Sequence, residues 1–298
     1  STRTAQAGNG GSTLTPKQAK KQEKKFRKQK KHKKFWFGFK IFMLVCLLAV
    51  LAGLVVFYFK FGDELLKWRM EAADVVENST SDTFRASETS IIYASNKSMI
   101  AKLKGDKDSY YLTFDEIPQS VKDAMIVTED RDFYNHEGVN LLSTAKAAVM
   151  LVKSKIKHED ISRGGSTITQ QLAKNVFLSN AQTYERKVRE IFIALDLEKK
   201  YTKDQILEFY INNIYFANGY YGIEAASRGY FNKPAKDLDL AEAAFLCSIP
   251  NSPSKYNPLE NYKNTLQRKS RILKQMLDAD SITAAEYSDA NYEKIILN

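Results

Sequence analysis

Three segments of this 298-residue sequence crowd reactive side chains at spacings that plain helix surface does not need. Glu129-Asp130-Arg131-Asp132-Phe133-Tyr134-Asn135-His136-Glu137-Gly138 sets carboxylates, an arginine and a histidine around two aromatic rings, directly after an apolar run. Such groups are the raw material of acid–base work. Residues 162–175, from Ser162-Arg163-Gly164-Gly165 to Lys174-Asn175, begin as a glycine-rich loop and become a helix lined with hydroxyls and amides. Free N–H groups at that helix start would suit a phosphate or another anion, and the plain alternative is a tight turn with a polar cap. In Arg186-Lys187-Val188-Arg189-Glu190, Arg186 and Glu190 share a helix face. They form either a surface ion pair worth a few tenths of a kcal/mol or part of a site for a sugar pyrophosphate, where cations neutralise the leaving group.

The elements that must position these residues are mostly helical. Thr113-Phe114-Asp115-Glu116 has capping-box spacing and Pro118 suits a first turn, so a helix begins near 118 and carries Val121, Ala124, Met125 and Ile126. The same cap signal recurs at Thr202, Asp239 and Thr283. Ahead of them, residues 90–94 and 99–103 flank a turn-prone Ser95-Asn96-Lys97-Ser98 and read as a small hairpin. Residues 139–156 form an amphipathic helix with lysines around its apolar face, which is either a core helix or a membrane-dipping one.

Nineteen uncharged residues, Ile41 to Phe59, cover about 28 Å as a helix and carry aromatic rings at both ends. They read as a transmembrane helix. Eleven Lys and Arg between Lys17 and Lys34 precede it, and the stretch after it is acidic, so the N-terminus is expected in the cytoplasm and the remainder outside the cell. The net charge of +10 is therefore local: residues 1–40 carry +12 and the rest −2, which disfavours a nucleic-acid partner. Two cysteines, Cys46 and Cys247, cannot staple a disulfide scaffold, and three scattered histidines cannot make a zinc triad. The expected organisation is a basic cytoplasmic tail (1–40), a transmembrane helix (41–61), a stalk or linker (62–89) and a mainly α domain with a small β element (90–292).

EDRDFYNHEG, RGGSTITQQLAKN, RKVRE, KDQILEFYINNIYF and AASRGYFNK stand in the order and approximate spacing of five motifs. Together they resemble the peptidoglycan glycosyltransferase family, which comprises the glycosyltransferase domain of class A penicillin-binding proteins and the monofunctional transglycosylases. The resemblance covers roughly residues 90–290 and implies a lysozyme-like helical domain with a membrane-dipping jaw. It implies polymerisation of lipid II outside the cell membrane, with inversion and release of undecaprenyl pyrophosphate. By motif position Glu129 corresponds to the general base and Glu190 to the carboxylate that organises the pyrophosphate, with a divalent cation, Mg or Mn, as an option at Glu190 and no organic cofactor. Lys174, Arg186 and Lys187 fall where cations would meet the phosphate. Ser166, Gln170, Gln171 and Asn175 fall where sugar or phosphate would be hydrogen-bonded. His136 and Arg131 read as structural. The partners implied are lipid II and the growing glycan strand, membrane lipids and other cell-wall synthesis proteins.

Three positions depart from the family pattern: Gln182 stands where Arg is frequent, and Ala217 and Asn232 where Gly is usual. Two Ser-x-x-Lys matches, at Ser154 and Ser252, lack the Ser-x-Asn and Lys-Thr-Gly partners of a penicillin-binding transpeptidase and read as chance. The rival readings are a lysozyme-like lytic hydrolase, since paired carboxylates also cleave glycosides, and an inactive wall-synthesis scaffold.

Overall fold

The structure is a computed structural model that describes residues 16–85, 90–93, 99–103, 108–142, 144–145, 165–179, 181 and 183–298. The chain forms two compact units, residues 1–65 and 66–298. In the first, the basic stretch and the apolar stretch belong to one uninterrupted helix, α1 (Pro16–Glu77), whose last turns lie in the second unit. Large apolar side chains from Phe35 to Phe61 are exposed along it, and its apolar window has a mean hydropathy of 2.9, long and apolar enough to cross a bilayer. A helix apolar all round over that length is either covered by protein or spans a membrane.

Among its described residues, the second unit is helical with two minimal sheets. Its elements are β1 (Ser90–Tyr93), β2 (Met99–Leu103), β3 (Asp108–Ser109), α2 (Gln119–Glu129), α3 (Ile168–Phe177), α4 (Tyr184–Lys200), α5 (Lys203–Asn213), β4 (Tyr220–Tyr221), α6 (Ile223–Phe231), α7 (Leu240–Leu246), α8 (Pro258–Asp278) and α9 (Ala284–Tyr292). β1 and β2 form the expected antiparallel hairpin, whereas the parallel β3–β4 pair is not legible in so short a sequence pattern. Capping boxes at Thr167, Thr202, Asp239 and Thr283 start α3, α5, α7 and α9.

Residues 66–85, expected within a linker, are instead part of this unit. Ala72 and Val76, four apart on α1, are buried, and Phe84 stacks on Phe209 with centroids 3.9 Å apart. Lys200 Nζ donates to the carbonyls of Val76 (2.8 Å), Glu77 (2.7 Å) and Ser79 (2.6 Å), so a cation satisfies the groups a helix C-terminus leaves open. Arg69 adds a two-pronged ion pair to Asp196.

The core gathers around α5, which buries Ile206, Leu207, Phe209, Tyr210 and Ile211. Buried Asn212 pairs with residue 112 as a strand would, accepting from Leu112 N and donating to Leu112 O, each at 2.8 Å. α3 and α4 pack on α5 and bury Leu172, Ile193 and Leu197 in the same core, while α7 and α8, which bury Phe245, Leu273 and Met276, pack on each other and on α2.

Candidate active site

Glu129 ends α2, and the next residue leaves the helix: Asp130 has φ −158° and ψ 79°. Its side chain turns to the start of α3, where Oδ2 accepts from Ile168 N at 3.0 Å and from His136 Nε2 at 2.8 Å. His136 Nδ1 accepts from Gly138 N at 3.1 Å, so the proton sits on Nε2. Gly138, at φ 86°, passes so near Ala194 that a Cβ would lie 2.7 Å from its carbonyl oxygen. Thr167 Oγ1 donates to Gly138 O at 2.6 Å. The 129–138 loop and the 165–177 helix start are thereby stitched into one body, and His136 is structural as expected.

The same bonds occupy several donors of that helix start. Ile168 N–H is held by Asp130 and Gln170 N–H by Thr167 Oγ1 at 3.1 Å, while Gln170 Oε1 accepts from Thr167 N at 2.9 Å. The polar cap uses these donors internally. Gln170, 1% exposed, caps the helix through its Oε1. Arg163 and Gly164 lie outside the described residues.

Two carboxylates converge on Lys174. Glu190 on α4 is 3% exposed at its side chain; Oε2 accepts from Arg186 Nη1 at 2.6 Å and Oε1 from Lys187 Nζ, which also donates to Ser166 Oγ at 2.9 Å. Lys174 on α3 loses affinity for its proton mainly through burial; Glu190 opposes that, Arg186 and Lys187 add to it, and Glu129 opposes it. A half-buried lysine among two cations and two carboxylates is an anion site that is partly desolvated beforehand. Asn175 is exposed one turn after Gln171.

Glu129, 8% exposed, is pushed above the ordinary carboxylate range by burial; the hydrogen bond from Gln171, then Arg268, Lys174 and Asn251 pull the other way. Gln171 Nε2 donates to Oε2 at 3.1 Å, whereas Oε1 has Arg268 Nη2 at 3.7 Å and makes no hydrogen bond among the described residues. Arg268, on α8, stacks 5.0 Å from the Tyr256 ring. Sequence reasoning passed over it. The signal was there: Arg268 and Lys269 break an apolar stripe that runs from Thr265 through Ile272 to Met276, and Lys269 resolves as a cap on the Ala290 carbonyl at 2.7 Å.

The residues do not fit the divalent cation expected at Glu190. Both of its oxygens are engaged by side-chain cations, and no cluster of three His, Cys, Asp or Glu exists among the described residues. A metal there would have to displace two positive charges.

The departures resolve locally. Ala217 (φ 63°) and Asn232 (φ 54°) both occupy the left-handed region that Gly fills without strain, and Asn tolerates it well. Gln182 lies outside the described residues, as does the 139–156 helix apart from its first residues, where Leu141 and Leu142 are 78% and 65% exposed.

Comparison with known proteins agrees with this geometry. Residues 96–277 match the family model described as Transglycosylase. Penicillin-binding protein 4 of Bacillus subtilis is 38% identical over 259 residues, 86% of this chain and 40% of its own length. Penicillin-binding proteins 1A of Aquifex aeolicus and Pseudomonas aeruginosa are 41% and 43% identical over 62% and 68% of this chain, and 25% and 24% of theirs. The chain thus spans 40% or less of the length of these relatives. With the family model covering most of the second unit, the chain belongs to the transglycosylase family of peptidoglycan glycosyltransferases.

Proposed function

We propose that this protein polymerises lipid II into glycan strands at the outer face of the cell membrane, with α1 as its anchor and the N-terminus in the cytoplasm. Glu129 takes the proton of the acceptor sugar 4-hydroxyl. The freed oxygen pair attacks the anomeric carbon of the donor strand from the face opposite its pyrophosphate, the carbon–oxygen bond to pyrophosphate breaks, the centre inverts, and undecaprenyl pyrophosphate leaves. Lys174, Arg186 and Lys187 take up the negative charge that builds on the leaving group. Membrane lipids and other wall-synthesis proteins complete the set of partners.

The observation that carries this reading is the pairing of one buried carboxylate with a second whose two oxygens are bound by Arg186 and Lys187. A lytic hydrolase needs its second carboxylate as nucleophile, as acid, or as base for a water. Glu190, saturated by cations, serves none of these and instead arranges positive charge. Incubation of the full chain with lipid II tests the proposal. Polymer from wild type and none from Glu129→Gln is expected; shortening of finished glycan without polymerisation would establish the hydrolase, and undiminished polymerisation by Glu129→Gln would remove the catalytic assignment.

A further inference from the structure

Tyr210 lies in the middle of α5 with no solvent exposure, yet its hydroxyl reaches the catalytic cluster. Its single hydrogen bond among the described residues goes to Gln171 Oε1 at 3.2 Å. An amide oxygen only accepts, so the phenol donates. On the other side of the same carboxamide, Nε2 donates to Glu129 Oε2 at 3.1 Å. A carboxamide between a phenol and a carboxylate has two orientations related by a half-turn. In the one present, all three groups are matched donor to acceptor. In the other, the amide oxygen faces the carboxylate and the phenol proton, fully buried, loses its acceptor.

We propose that Tyr210 is a positioning residue for the base: its buried hydroxyl locks the Gln171 carboxamide so that N–H, and not C=O, faces Glu129. The inference rests on Glu129 being the base of the proposed reaction. Gln171 and Lys174 face Glu129 from α3, Arg268 from α8, and Asn251 and the buried Cys247 thiol from the segment after α7; Asp130 and Glu129 both face Tyr210. Burial favours the protonated, silent form of the base, and the Gln171 N–H opposes it. Releasing the amide removes that opposition, so the acid limb of activity moves to higher pH.

The test is the pH dependence of kcat/KM for lipid II with the full chain in detergent, for wild type, Tyr210→Phe, Gln171→Ala and the double variant. Tyr210→Phe should raise the acid limb by about one pH unit, the scale of one lost hydrogen bond to a charged group. KM on the plateau should be unchanged. In the Gln171→Ala background, Tyr210→Phe should add nothing. Coincident acid limbs, or an undiminished Tyr210→Phe shift without Gln171, would overturn the inference while leaving the proposed function intact. If wild type makes no polymer, that function fails, and the relay is judged directly by ¹³C NMR titration of the Glu129 carboxyl, assigned with Glu129→Gln. A higher midpoint in Tyr210→Phe supports the relay, and an unchanged one refutes it. Should Tyr210→Phe not fold, the Gln171 side-chain ¹⁵N signal of wild type must follow the Glu129 titration, and a signal indifferent to it refutes the relay as well.

Discussion

Asp130 Oδ2 accepts the Ile168 N–H at 3.0 Å, so the residue after Glu129, the proposed base, is bonded to the first helical residue of the motif that holds Lys174 and Gln171. Glu129 and its neighbours are held in register by one buried carboxylate, 6% exposed, that also accepts a hydrogen bond from His136 Nε2. Asp130→Ala strands two buried N–H groups and should cost about 2–4 kcal/mol in denaturant unfolding. Asp130→Asn keeps one acceptor and should lose about half of that. Equal stability of wild type and Asp130→Ala would show that the bond does not hold the two segments together.

Glu129 trades stability for reactivity. Its pKa is raised in the fold by burial, so its contribution to stability is complete below the ordinary glutamate value of 4.5 and is lost as pH rises through the folded value. Glu129→Gln should therefore match wild type in stability near pH 4 and exceed it at pH 8, while polymerisation falls by about a hundredfold or more. Paired chemical denaturation at the two pH values measures the first effect and lipid II turnover the second.

Lys174 titrates below the ordinary lysine value of 10.5, chiefly through burial. Activity should fall on the alkaline side as this cation is lost, and Lys174→Arg, which stays ionised, should move that limb to higher pH. Lys174→Met should lower kcat/KM about 10- to 100-fold, the range for removing a charge-assisted contact to a leaving group. An alkaline limb that ignores both substitutions would place Lys174 outside the charge-neutralising set.

Asn232 closes α6 in the left-handed conformation with φ 54° and ψ 32°, and it is exposed. Asn232→Gly should be neutral within about 0.5 kcal/mol, whereas Asn232→Val should cost about 1–2 kcal/mol in thermal unfolding because a β-branched residue pays the full steric penalty there. A departure from the family glycine is thus a tolerated substitute and not a loss of the loop.

Legibility followed the range of the forces involved. Caps at Thr202, Asp239 and Thr283 depend on atoms three residues apart, and they appear where the sequence puts them. The extent of the second unit did not, because residues 69 and 76 are tied to it by Asp196 and Lys200, more than a hundred residues on. Gln170 and Gln171 are adjacent and identical in type, yet one caps a helix and the other touches Glu129. Only the helix phase separates them.

By itself, the sequence determined the apolar span, the asymmetric charge, the succession of helices and the residues that carry the family likeness, because each is a property of composition or of neighbours along the chain. The tertiary structure decided which of those residues meet. It assembled Glu129, Gln171, Tyr210 and Arg268 from four different helices, bonded the Ile168 N–H to Asp130, and paired both oxygens of Glu190 with cations. The environment that raises the proton affinity of Glu129 exists only when α2, α3, α5 and α8 pack together, since desolvation is created by packing and is carried by no residue alone.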